Sequence, residues 1–317
     1  MNKSRTSGRL KIVIISITAA MAAYLGLSIL GAAAAMNIPR LPVQGTPSDV
    51  GLSYSDVSFH SRGDNISLKG WFLPSARQSV IIIIHGGFQN RLDPLVKTID
   101  LSKDLVNSGY NVLLFDLRGR GESGGKGYSL TAEDKDIGGA VDFLKHKGFS
   151  AENIGIIGFC SGAAGTCIYT AENNDVGAIV LDGCFTSVND MLYSQAAKDG
   201  IPGIIVDGFF PSVKLAARIF YGFREKDPIL FVGQITCPIF FIHEDHDNLI
   251  STADFRALLS AAVNSQNISW QVDDALHSLA FTTYPEEYAS KISAFFDATI
   301  GTSSIFTASL QSDSAGN

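Results

Sequence analysis

Among the four cysteines of this 317-residue chain, one stands where a side chain can attack. The run from Ile154 to Ile157 is apolar and stops at Gly158, and small residues fill the stretch from Ser161 to Thr166. Between them, Gly158-Phe159-Cys160-Ser161-Gly162 has the small-x-nucleophile-x-small spacing of a nucleophile elbow, with cysteine at its centre. A strand-to-helix turn this sharp leaves no room for a Cβ two residues before or after the central residue. It also thrusts the central side chain toward the N-terminus of the next helix, where free N–H groups favour negative charge. The register selects the attacker. Centring on Ser161 would put Phe159 and Ala163 in the crowded places, whereas centring on Cys160 puts Gly158 and Gly162 there. Cys160 is the candidate nucleophile, and its attacking form is the thiolate. The competing reading is an inert thiol buried under a glycine-rich turn.

A nucleophile needs a base, and the base needs an acid to orient it. Both are available in later loops. An apolar run from Pro238 to Ile242 leads into His243-Glu244-Asp245-His246-Asp247, and a short strand from Ser269 to Val272 leads into Asp273-Asp274-Ala275-Leu276-His277-Ser278. His277 would take the thiol proton and later protonate the leaving group. Asp247 or Asp245 would hold the imidazole. Asp273 and Asp274 are too near His277 in sequence and instead shape its loop. The irregular spacing of His243, Asp245, His246 and Asp247 argues against a metal site, and neither metal nor cofactor is expected. His85 reads as structural; His60 and His146 read as solvated.

These side chains have to be positioned by a sheet. Segments from Ser53 to Phe59 and from Ile66 to Phe72 read as a hairpin turning at Gly63-Asp64-Asn65. The run from Val80 to Ile84 is wholly apolar and β-branched, as in a strand buried on both faces, and it ends in His85-Gly86-Gly87-Phe88. Pro94 to Asn107 has helical spacing, and Asn111 to Phe115 is the next strand. In Asp116 to Gly127 the glycines fail the phosphate-loop pattern and are expected to form a tight surface loop. Thr131 with Asp134 is placed to cap a helix running to about Lys147. Ala178 to Leu181 is a further strand. Residues 189–234 then break the strand–helix rhythm with an aromatic-rich insertion, interrupted by Pro202 and Pro211 and placed to form a lid. Helices are expected from Asp254 to Val263 and from Pro285 to Ile300, with a disordered tail over 301–317.

Composition bounds the partners. The formal net charge is −7 and the body of the chain has no cluster of basic residues, so nucleic acid is not an expected partner. The cysteines lack the paired spacing of a zinc site or a disulfide scaffold. Cys184 falls near the rim that carries Cys160, close enough to invite an oxidised pair between them, against the plainer reading of a small core residue. Lys3, Arg5, Arg9 and Lys11 precede an uncharged run from Ile12 to Ala35, long enough as a helix to cross the ~30 Å hydrocarbon core. The division expected is a basic flank over 1–11, an anchor over 12–35, an extended linker over 36–51 and one domain over 52–300. The basic flank would stay cytoplasmic and the domain would lie outside. A cleaved signal ending at Ala33 to Ala35, and hence a secreted protein, is the alternative.

From about Leu52 to Ile300 the chain resembles the α/β-hydrolase superfamily. The resemblance rests on His85-Gly86 after a central strand, Asp116-x-Arg-Gly-x-Gly-x-Ser123, the elbow at Gly158, and an Asp loop followed by a His loop. The anchor and Gly70-Trp71-Phe72-Leu73-Pro74 are similar to membrane-anchored Bem46/YqkD-like hydrolases, related in pattern to the serine aminopeptidase-like group. Two positions depart from that pattern: cysteine replaces serine in the elbow, as in dienelactone hydrolases, and Glu244 stands where the Asp loop usually has glycine. The resemblance implies an α/β fold with a mostly parallel sheet of about eight strands flanked by helices. It implies a Cys160–His277–Asp247 triad and an oxyanion hole made by the N–H groups of Ser161 and Gly87, with Phe88 as second choice. It further implies a small-molecule or peptide-like acyl substrate, an ester, thioester or small amide. Lactone hydrolysis of the dienelactone type and a non-catalytic binding protein are the alternatives. A dead site would be free to lose Asp247 and His277.

Overall fold

The computed structural model of the protein describes residues 3–126 and 132–301. Its frame is an eight-stranded sheet in the order β1-β2-β4-β3-β5-β6-β7-β8. The strands are β1 (Ser55–His60), β2 (Ser67–Leu73), β3 (Val80–Ile84), β4 (Asn111–Phe115), β5 (Ile154–Phe159), β6 (Ala178–Asp182), β7 (Ile239–Glu244) and β8 (Ile268–Val272). β1 and β2 pair antiparallel, as does β2 with β4, and the other pairings are parallel. Every residue of β3 to β7 is buried, which is why these strands read as unbroken apolar runs. In a parallel sheet all the loops after the strands open on one edge, and Cys160, Asp247 and His277 follow β5, β7 and β8 there.

Helices cover both faces. α1 is Lys3–Met36, α2 Thr98–Asn107, α3 Glu133–His146, α4 Ser161–Asn173, α5 Val188–Lys198, α6 Gly203–Tyr221, α7 Thr252–Ala261, α8 Ala280–Thr283 and α9 Pro285–Thr299. The apolar faces of α3 and α4 close one core against Ile82, Ile84 and Ile156, while α2 and α9 close the other against Ile81, Ile83 and Ile157. Alternate residues of each central strand therefore serve opposite cores.

Several expectations need correcting. The loop after β4 is not a surface loop: Asp116, Leu117, Arg118 and Arg120 are buried. Its charges are tolerated inside because they are paired. Asp116 accepts the backbone N–H groups of Arg91 and Glu122, each at 2.8 Å, and Arg118 binds Asp136 and Asp64, each at 2.7 Å. Pro211 does not interrupt the insertion but lies inside α6, whereas Pro202 does end a segment, at the N-cap of α6. A proline inside a helix forfeits one backbone bond and crowds the preceding turn; in that same turn the Gly208 carbonyl accepts from Tyr24 of α1, at 2.8 Å. The stretch after α1 is extended only as far as Thr46, forms a short 3-10 helix over Pro47–Val50, and is docked. Arg40 donates to the carbonyls of Ser123, at 2.6 Å, and Gly121, and Asn90 donates to those of Leu41 and Pro42. α2 begins at Thr98, four residues later than its spacing suggests, after Lys97 adopts a left-handed conformation. The proposed cap Thr131 and the tail beyond Gly301 lie outside the described residues.

Candidate active site

The elbow forms as its glycines require. Cys160 has φ 51° and ψ −116°, a strained conformation for a residue with a side chain, and Ser161 is the first residue of α4. A Cβ on Gly158 would come within 2.6 Å of the Gly162 carbonyl oxygen, and one on Gly162 within 2.6 Å of that of His85. The backbone N–H of Cys160 donates to the Asp182 carbonyl at 2.9 Å, tying the elbow to β6. Cys160 is half-buried, whereas Cys167, Cys184 and Cys237 are buried; all four are free thiols. Burial pushes the thiols of Cys167 and Cys237 up to about 12. Burial, then Cys167 and Cys160, drives Cys184 up as well.

His277 meets Asp247, the acid that the resemblance implies. Nδ1 lies 2.7 Å from Asp247 Oδ2, and Asp247 Oδ1 accepts the backbone N–H groups of Leu249 and Ile250, each at 2.8 Å. Burial alone would raise the pKa of Asp247; the hydrogen bond and charge of His277, then the two amides, hold it below the ordinary carboxylate value. Among the described residues, the rival Asp245 has His246 as its one ion-pair neighbour, at 4.0 Å. On the other side of the ring, Nε2 is buried and makes no hydrogen bond of ordinary geometry. Cys160 is nonetheless close enough to act on the charge of the ring. Burial opposes protonation of His277, but Cys160 and then Asp247 outweigh it and hold the pKa well above the usual imidazole value. The loop that presents His277 needs Gly183 opposite it, where φ is 63° and a Cβ would meet His277 Cε1 at 2.8 Å.

The amides around the elbow depart from expectation. The Gly87 N–H donates to Ser161 Oγ at 2.8 Å and is not free for an oxyanion. The Phe88 N–H makes no hydrogen bond among the described residues, and the Phe88 side chain is exposed. Ser161 carries the first amide of α4, which has no carbonyl within the helix to bond. The pair of donors left open beside Cys160 is thus Ser161 and Phe88. The hydroxyl of Ser161 was not expected to take part; the only hint in the sequence is its place next to the nucleophile.

The remaining histidines are structural or solvated. His85 is buried, accepts the Leu117 N–H on Nε2 at 3.1 Å, and is pushed down to about 3 by burial and by Arg120. His243 stacks on Phe255, with ring centroids 5.0 Å apart, and its Nε2 lies 3.2 Å from Thr252 Oγ1. Glu244, Asp247 and His277 offer ligand atoms within 4.8 Å of one another. With Nδ1 committed to Asp247 and Nε2 turned toward Cys160, the imidazole keeps no nitrogen for a metal.

Glu244 and Asp182 form a second acidic feature that spacing does not reveal. Both are fully buried, at the ends of the neighbouring strands β7 and β6. Tyr288 Oη donates to Asp182 Oδ2 at 3.0 Å, while Asp182 Oδ1 and both Glu244 oxygens lack partners of ordinary geometry. Burial first, then each other's company in the case of Asp182, raises both pKa values, so the pair retains a proton where ordinary carboxylates have lost theirs. The one sequence signal for this is Glu244 in place of the usual glycine.

A cleft of about 370 Å³ opens on the flank of the elbow, between Ser161 and Gly165 of α4, the start of α3, and Arg224 and Lys226. Neither Cys160 nor His277 lines it.

Comparisons with known proteins agree with this architecture. A family described as the alpha/beta hydrolase fold matches residues 79–202. The uncharacterized protein YqkD of Bacillus subtilis is 29% identical over 238 residues, covering 73% of this chain and 75% of YqkD. The uncharacterized protein YfhR of Escherichia coli K12 is 26% identical, with the same coverage of each chain. Among solved structures, the Pyrococcus furiosus esterase Pf2001 superposes with a TM-score of 0.73 at 26% identity, over 84% of this chain and 98% of the esterase. Sheet order, elbow and relatives together show that this chain has the α/β-hydrolase fold.

Proposed function

We propose that the protein is a membrane-anchored hydrolase of ester, thioester or small amide bonds, working through Cys160, His277 and Asp247 and a covalent acyl-enzyme. The observation that carries this reading is the 2.7 Å contact of His277 with Asp247, on a ring whose other nitrogen is turned to a cysteine held at φ 51°. Cys160 sulfur attacks the acyl carbon and the carbonyl π pair moves onto oxygen. The N–H groups of Ser161 and Phe88 receive that oxyanion. His277, protonated by the thiol, gives its proton to the leaving group as the oxyanion collapses and the bond to the leaving group breaks. Water then attacks the thioester, His277 takes its proton, and the acid leaves as Cys160 is restored. Asp247 keeps Nδ1 protonated and offsets the imidazolium charge.

Helix α1 supports the anchor: residues Gly8–Met36 are long and apolar enough to cross a membrane, a property that a signal sequence shares. A mature protein starting near Asn37 would remove this part of the proposal.

The decisive experiment is a panel of p-nitrophenyl esters of varied chain length, read with the wild type and with Cys160→Ala. Loss of turnover by roughly 10³-fold or more is expected. Iodoacetamide should modify Cys160 before the three buried thiols, with inactivation tracking that modification. Undiminished hydrolysis by Cys160→Ala would refute the cysteine mechanism, and no hydrolysis by the wild type on any member of the panel would favour a binding protein.

A further inference from the structure

We propose that the tip of the insertion, around Ile201 to Ile205, enters the lipid leaflet on the domain's side of the membrane and takes substrate from it. The argument rests on the anchor reading of α1 and on the catalytic reading of Cys160, and it starts from how α1 is packed. α1 does not stand free of the domain. Its second half runs alongside α6 in parallel: Tyr24 donates to the Gly208 carbonyl at 2.8 Å, Ser28 Oγ lies 2.7 Å from Ser212 Oγ, and Asn37 Nδ2 lies 3.4 Å from Tyr221 Oη. The Tyr24 and Phe209 rings stand 5.0 Å apart. The three hydrogen-bonded pairs share one sequence offset, as two helices keeping a common register must.

That packing limits the reach of the anchor. The last basic residue is Lys11, and the first residue bound to α6 is Tyr24. The free uncharged helix between them, residues 12 to 23, spans about 18 Å at 1.5 Å per residue. The hydrocarbon core is about 30 Å thick. Arg9 and Lys11 can reach back toward the headgroups along their stems, which recovers several ångströms. The remainder has to come from the part of α1 that lies along α6. The hydrocarbon boundary on the domain's side therefore falls beyond Tyr24, and α6 begins at Gly203, five residues and about 7.5 Å nearer the membrane centre than Gly208.

The side chains at that end suit the depth. Ile204 is 83% exposed, Ile205 48% and Ile201 43%, a cluster of branched apolar groups with no protein cover. Lys198 and Asp199, which precede the tip, set the limit of entry, since their charges favour the headgroup layer. Lys198 Nζ is also held by Asn248 Oδ1 at 3.2 Å, and Asp207 accepts from Tyr193 Oη at 3.0 Å. With the boundary beyond Tyr24, the start of α6 lies more than about 7.5 Å inside it, at or past the usual depth of an interfacial segment. Lys198 contacts the residue next to Asp247, so the immersed tip stands beside the catalytic rim. The substrate class this favours is an acyl ester already resident in the bilayer.

The test uses the full chain reconstituted in phospholipid vesicles whose acyl chains carry bromine. The fluorescence added by Ile204→Trp should be strongly quenched. The control is Val263→Trp, at an exposed site before β8 and so at the opposite edge of the sheet, which should be quenched little. Equal quenching at the two positions overturns the proposal. This readout needs no turnover, so it can fail or succeed independently of the triad. In the same vesicles, Ile204→Asp with Ile205→Asp should lower the ratio of activity on a long-chain ester embedded in the bilayer to activity on a soluble short-chain ester by roughly tenfold. An unchanged ratio overturns the claim that the tip takes substrate from the leaflet.

Discussion

Two acidic neighbours of His277 differ in almost every respect. Asp247 is completely bonded, by an imidazole and two amides, and its pKa is held below the ordinary value despite burial. Glu244, three residues earlier, is equally inaccessible but lacks partners of ordinary geometry, and its pKa is raised together with that of Asp182. The contrast shows that burial does not decide whether an acid is charged. The donors aimed at it decide. A carboxylate that is to stabilise an imidazolium needs those donors; one without them is neutral for part of the pH range and supplies packing and hydrogen-bonding capacity instead.

The sharpest way to break this comparison is to remove each acid in turn. Asp247→Asn should reduce kcat/KM by roughly 10²–10⁴-fold, because the ring loses both its orientation and its counter-charge. Glu244→Gln keeps the shape and should leave kcat/KM within about tenfold of the wild type. If the two losses are equal, or in the reverse order, Glu244 is the acid that serves His277 and the assignment of Asp247 fails.

Much of the fold is legible because parallel strands advertise themselves. Val80 to Ile84 and Asn111 to Phe115 are apolar on both faces, and their partners in the sheet are the runs singled out by the same criterion. The elbow is legible for a different reason: backbone crowding leaves Gly158 and Gly162 no alternative, and that constraint survives in the sequence as glycine. What escapes is what depends on three-dimensional pairing. Asp116 and Arg118 look like surface residues until Arg91, Asp136 and Asp64 arrive from distant segments to neutralise them. Pro211 looks like a break because a proline forfeits a helical hydrogen bond, yet α6 runs through it, packed along α1, a segment far away in sequence. The Gly87 amide looks free until Ser161 Oγ is placed against it. Asp182 and Glu244, 62 positions apart, give no sign of sharing an environment.

A smaller effect separates the two acids by pH. The carboxyls of Asp182 and Glu244 have raised folded-state pKa values, so the native state binds more protons than the unfolded chain once pH exceeds the unfolded values of about 4. Their contribution to stability is therefore complete below about pH 4 and is lost as pH rises through the folded values. Asp247 and Asp64 have lowered values, that of Asp64 to about 2, and act in the opposite sense: their contribution is present above about pH 4 and lost as pH falls. His277, raised, loses its contribution as pH rises from the unfolded imidazole value through its folded one, in both proteins to be compared. Glu244→Gln should accordingly gain on the wild type as pH rises from about 4 through the raised folded value, by about 2–4 °C in Tm difference. A Tm difference that does not change with pH would mean that Glu244 is ionised throughout.

The smallest expected effect lies on the nucleophile's other side. Ser161 is adjacent to Cys160 but its hydroxyl turns to the Gly87 N–H, so it acts on the loop after β3 and not on the reacting carbon. Ser161→Ala leaves its own backbone N–H in place for the oxyanion and removes one neutral hydrogen bond, worth about 0.5–1.5 kcal/mol. If all of that loss reaches the transition state, it corresponds to a fall in kcat/KM of roughly 2- to 13-fold. The loop would be looser around Phe88, so the loss should fall on kcat more than on KM, and Ser161→Thr, which keeps the hydroxyl, should recover part of it. Abolished turnover in Ser161→Ala, with Cys160→Ala still active, would reverse the roles of the two residues and with them the reading of the elbow.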